Sequence, residues 1–112
     1  MKYLQVELIR AALAELSDEQ FQKLAWNDQI PGEIHTFEEC LEMLFTDSGL
    51  TDALDSGDAF SLEMDARSRV LRQLVSQIDP FRSVDEVLND PALPKVRKLA
   101  GELLSDPDLI EP

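Results

Sequence analysis

Thr36-Phe37-Glu38-Glu39-Cys40-Leu41-Glu42-Met43-Leu44-Phe45 is the stretch that decides the fold class. At about 100° per residue, Phe37, Cys40, Leu41 and Leu44 share a face with Phe45 at its edge, while Glu38, Glu39, Glu42 and Met43 point away. That pattern is an amphipathic helix. Thr36 and Glu39 stand at the two positions of a capping box, which fixes the start, and Asp47-Ser48-Gly49 closes the segment.

The same period runs outward in both directions. Upstream, Val6, Ile9, Leu13 and Leu16, with Leu8 and Ala12 beside them, predict a first helix. Ser17-Asp18-Glu19-Gln20 reads as a capping box opening a short second helix, with Leu16 and Phe21 placed as a hydrophobic staple. Phe21, Leu24 and Ala25 are its expected buried side, and Asn27, Asp28 and Pro31-Gly32 break it. Downstream, Thr51-Asp52-Ala53-Leu54 forms a turn or so before Gly57. A longer helix starts at Asp58 or Ser61 and runs to about Ile78, burying Met64, Leu71, Leu74, Val75 and Ile78, and is expected to be the central packing element. Asp79-Pro80 stops it, and Ser83-Val84-Asp85-Glu86 opens a short helix with another capping box. Asp90-Pro91 and Pro94 punctuate, each proline being tolerated in a first helical turn. The last helix buries Val96, Leu99, Ala100, Leu103 and Leu104, and the tail from about residue 105 is expected to fray.

No segment alternates at period two over a convincing length. The predicted fold is therefore all-α, a compact irregular or orthogonal bundle of five to six helices. Residues 1–112 are read as one domain, with a radius of gyration of roughly 13 Å. Apolar residues make up 44% of the chain, enough for a core. A single Cys40 rules out an intrachain disulfide and fits a reducing compartment. No run is long and apolar enough to span a bilayer, and Met1-Lys2-Tyr3-Leu4-Gln5 does not read as a secretory signal, so the expected location is the cytoplasm.

Charge is the unusual property. The formal net charge is −13, and from Leu24 to Ala66 there are eleven carboxylates and no Lys or Arg. Up to Ala66 fifteen acids face three bases, whereas from Arg67 onward eight face seven. Nucleic acid is excluded as the expected ligand because phosphate binding requires clustered cations. An anionic membrane surface is disfavoured on the same ground. Helix first turns explain Glu38 and Glu39 through the macrodipole. Glu42 has no such explanation, since its spacing from Glu38 costs roughly 0.2–0.5 kcal/mol in like-charge repulsion.

The sequence carries little that points to chemistry. Placing Gly57 at the sixth position of a calcium loop puts Asp52, Ser56 and Glu63 at positions that need oxygen donors, but Leu54 and Phe60 fall where a ligand or water belongs. His35, the single histidine, reads as a surface residue before a helix start rather than a general base. Cys40 reads as a small core residue. Arg67 is either a stem with its guanidinium at the core's rim, paired with Glu63, or an interior clamp for a carboxylate. Arg69 and Arg72, with Asp65, read as an ordinary solvated face. No enzyme, cofactor or metal is expected.

A rigid acidic surface suits a cationic protein partner, whose capture complementary fields accelerate. The residues expected to meet that partner are Asp28, Glu33, Glu38, Glu42, Asp47, Asp52, Asp55 and Asp58, with Trp26 or Met43 as an apolar anchor. For Trp26 the alternative is a place at the core's edge. In size, acidity and helicity the chain resembles the small bacterial immunity proteins that neutralise cognate toxins, a likeness of overall character that carries no motif and no residue across. The resemblance implies a non-catalytic inhibitor occupying the cationic cleft of a nuclease-type toxin. The alternative is a helical adaptor or assembly module that recognises a partner through an apolar groove.

Overall fold

Side-chain caps start four of the observed helices. The computed structural model describes residues 4–27, 35–57 and 59–110. The breaks expected at Asp28 and Pro31-Gly32, and the alternative helix start at Asp58, lie outside them. Among the described residues there are eight helices and no strand, and five of the helices have seven residues or more. In chain order they are α1 (Val6–Ser17), α2 (Glu19–Ala25), α3 (Phe37–Leu41, continued as a wider turn over Glu42–Asp47), α4 (Leu50–Asp55), α5 (Leu62–Val75), α6 (Val84–Leu88), α7 (Leu93–Leu104) and α8 (Pro107–Ile110).

Thr36 Oγ1 accepts the Glu39 N–H at 3.0 Å, Ser61 Oγ accepts that of Met64 at 3.1 Å, and Ser83 and Glu86 form the reciprocal box. The cap of α2 is Asp18, not Ser17: its Oδ1 accepts the Phe21 N–H at 3.0 Å, while the Ser17 hydroxyl turns back to the Ala14 carbonyl. A carboxylate at the N-cap also meets the positive end of the macrodipole. Gly49, in the left-handed region at φ 84°, joins the wider turn to α4, a conformation that a Cβ would strain.

The most extensive packing is α1 against α7, with α5 on the other flank of α7 and the α3 segment against α1. The centre of the core is therefore α7, not α5. Along α7 the side chains of Leu93, Val96, Ala100 and Leu103 are almost fully buried, whereas the buried side of α5 carries the polar Asp65 and Ser68 among Met64, Leu71 and Val75. Each fully buried Leu or Val contributes roughly 1.5–3 kcal/mol, so a helix interrupted by two polar groups contributes less. Beyond Ser105 the chain turns into the short helix α8. There α8 docks Leu109 into the core at 0% exposure, and Arg10 Nε of α1 donates to the Leu109 carbonyl. The radius of gyration is 13.6 Å.

Two polar side chains bind the elements together from inside. Gln22 is fully buried; its amide donates to the Glu15 and Leu16 carbonyls at 2.9 and 2.8 Å, and its Oε1 accepts from Arg97 Nε of α7 at 2.8 Å. Asp65 is buried as well, not on a solvated face: its two oxygens accept the N–H groups of Ala59 and Phe60 at 2.8 and 2.9 Å and fix the entry to α5. Gln22 satisfies carbonyls in the last turn of α1, and Asp65 satisfies N–H groups of the loop that leads into α5.

Candidate functional site

The wider turn is the feature that shapes the surface. Over Glu42–Asp47 the backbone bonds from i to i+5. Such π-type turns are rare and recur at functional sites. The extra residue per turn lets the adjacent Leu44 and Phe45 both enter the core, while Glu42 and Asp47 stay exposed and Met43 lies half-buried. Its end is tied to the start of α1: the Gln5 N–H donates to the Ser48 carbonyl at 2.9 Å, and the Ser48 hydroxyl bonds back to the Leu44 carbonyl.

Between this segment and α1 runs a cleft of about 390 Å³ whose walls carry four carboxylates, Glu15, Glu39, Glu42 and Asp47. Leu8, Cys40 and Met43 supply apolar wall, and His35 and Thr36 stand at one end. Glu15 is the buried member, 8% exposed. Its Oε2 accepts the Trp26 indole N–H at 2.8 Å, and its Oε1 lies 3.4 Å from His35 Nδ1. His35 in turn meets the Phe21 ring edge-on, with centroids 5.2 Å apart. Beneath them Cys40 is buried with its thiol donating to the Ala12 carbonyl at 3.4 Å. Burial pushes that thiol well above the usual range, and the neighbouring Glu15 carboxylate adds to the effect by its charge and its hydrogen bond. A thiol held protonated is no nucleophile.

The expected partner-binding residues separate into groups. Glu42, Met43 and Asp47 meet on the cleft, joined by Glu15 and Glu39, which the sequence reading had not placed there. Glu38 is half-buried and Asp52 exposed, and neither lines the cleft. Asp55 is ion-paired with Arg72 Nη1 of α5 at 3.0 Å, so its charge is partly neutralised. Trp26 offers no surface anchor: it is 4% exposed, its ring tilted against that of Phe37 with centroids 5.5 Å apart, and its polar edge committed to Glu15. Asp28, Glu33 and Asp58 lie outside the described residues. The buried side of α2 is accordingly Gln22, Ala25 and the following Trp26 with Phe21 half-buried, while Leu24 is 49% exposed.

Arg67 takes the rim role, its Nη2 2.8 Å from Glu63 Oε1 on an exposed surface. Arg69 is not merely solvated, for its Nη2 donates to the Leu54 carbonyl at the end of α4. Among the described residues, no group of three or more His, Cys, Asp or Glu is placed to hold a metal ion, and no helix is long and apolar enough to cross a membrane. Set against family models, curated proteins and solved structures, the chain matches none.

Proposed function

We propose that this chain is a non-catalytic acidic binding protein that captures a basic protein surface, in the manner of an inhibitor that covers the cationic cleft of a nuclease-type toxin. The observation that supports it is the convergence of Glu39, Glu42 and Asp47, with buried Glu15 behind them, on one cleft shaped by the π-type turn. Uncompensated carboxylates on a concave wall repel one another, so a cation that enters relieves the repulsion it displaces. Asp55 and Glu63 are met by arginines of α5, which weakens the negative field on that side of the molecule.

The test begins with low-salt capture from the source cell and identification of the retained basic protein. Its association rate with this chain is then measured as salt rises. Steered association slows by at least about tenfold between 0.02 and 0.5 M salt. A rate independent of salt overturns the reading. A second reading, a helical adaptor, is favoured by the outward-facing Leu62 and Phe81, 88% and 80% exposed. It predicts a salt-insensitive partner lost on Leu62→Ser or Phe81→Ser.

A further inference from the structure

A second hollow adjoins the acidic cleft. It lies between α1 and α2, has about the same volume, 390 Å³, and is walled by Ala11, Ala14, Phe21 and Met43. Glu15, His35 and Met43 line both depressions, so the two adjoin along these residues. The two ends differ in chemistry. Toward α3 the walls present Glu39, Glu42 and Asp47, whereas toward α2 they present methyl groups, an aromatic edge and a thioether, with Asp18 and Glu15 at the margin. Ala11 and Ala14 are exposed on α1, and small side chains there leave room for an approaching one.

We infer that the groove takes a basic amphipathic helix of the protein partner, with lysine or arginine side chains seated along the carboxylate end and an apolar side chain seated over Ala14 and Phe21. The inference rests on the reading of this protein as a binder of basic surfaces and adds the form of what is bound. Charge complementarity selects the occupant: a wall of carboxylates refuses an acidic or purely apolar segment, and an apolar hollow gains nothing from a purely polar one. A helix with one apolar stripe flanked by cations is the common element that satisfies both ends, because its neighbours at i, i+3 and i+4 lie side by side. Met43 stands at the junction, where an unbranched thioether adapts to side chains of different shape.

Two synthetic peptides of identical Lys and Leu composition distinguish the cases, one arranged with a continuous helical apolar face and one scrambled to have none. Titrated into the full chain, the amphipathic peptide is expected to bind at least about tenfold tighter than the scrambled one, the effect of seating one apolar side chain. Ala14→Gln, a neutral change at an exposed helix position, removes that advantage and leaves the scrambled peptide unaffected. Glu39→Lys with Glu42→Lys weakens both. If both peptides bind equally and only the charge reversals matter, the amphipathic groove is overturned and the acidic binding reading stands. If neither peptide binds, or if charge reversal changes nothing, both are overturned.

Discussion

Replacing Glu15 with alanine takes away the acceptor that holds the Trp26 indole N–H, a bond of 2.8 Å in which both side chains are buried. An interior donor left without a partner costs about 1–3 kcal/mol. One lost methylene of packing adds roughly 0.8 kcal/mol, and removing a buried charge returns part of the total. The expected destabilisation is about 2–3 kcal/mol, which for a domain of this size lowers Tm by roughly 10–20 °C. Glu15→Gln keeps an oxygen in the same place and should cost less than about 1 kcal/mol. Trp26 is the only tryptophan, so urea unfolding followed by its emission, alongside helical circular dichroism, reports both the local site and the whole fold. A loss below about 1 kcal/mol for the alanine variant, or equal losses for the two variants, would refute the reasoning that a buried acceptor organises this end of the cleft.

Cys40, buried at 2% exposure with its thiol pushed up by burial, should resist thiol-specific alkylation in the native protein and react only on unfolding, as mass spectrometry across a urea series would show; rapid native labelling contradicts the packing described. A Cβ built at Gly101 on α7 meets only Ser17 Cβ at 3.8 Å, an ordinary contact, so Gly101→Ala should stabilise by about 0.5–1 kcal/mol in equilibrium unfolding, and a loss of stability would show that α1 and α7 lie closer than this. Asp90 is held below the ordinary aspartate value of 3.8, chiefly by the Ala92 N–H and then by the Arg82 guanidinium, against the opposing effect of burial. Because the folded value is the lower one, its contribution is present above the unfolded value and is lost as pH falls through the folded one. Asp90→Asn should therefore flatten the stability profile below about pH 4 and leave its slope at neutral pH unchanged, and an unaltered acid limb would count against the assignment.

The sequence made the helices and their caps legible because those depend on near neighbours. Thr36 and Ser83 cap as their spacing predicts, Ser61 is the one of the two expected starts that caps α5, and Cys40 and Leu44 lie on the buried face read from the period. What it did not carry depends on contacts far along the chain. Gln22 and Arg97 meet across 75 residues, and without that bond a glutamine between Phe21 and Lys23 reads as solvent-facing. The choice of Trp26 over Leu24 as the buried neighbour of Ala25 is made by Glu15 and Phe37, on other helices. Similarly, the acidic run suggested a broad face, but chain order does not say which carboxylates will meet arginines of α5. The π-type turn, which brings Glu42, Met43 and Asp47 to the cleft, leaves no mark in a periodicity that assumes ordinary helical turns throughout.

The central claim is that a local acidic cleft, and not the overall charge, selects a basic partner. Its most direct test compares two triple variants with the same change in net charge, one reversing Glu39, Glu42 and Asp47 to lysine and one reversing the exposed Glu7, Asp52 and Glu102. Affinity for the captured basic protein should fall by at least about a hundredfold in the first variant and by less than about threefold in the second. Equal losses in the two would contradict the account.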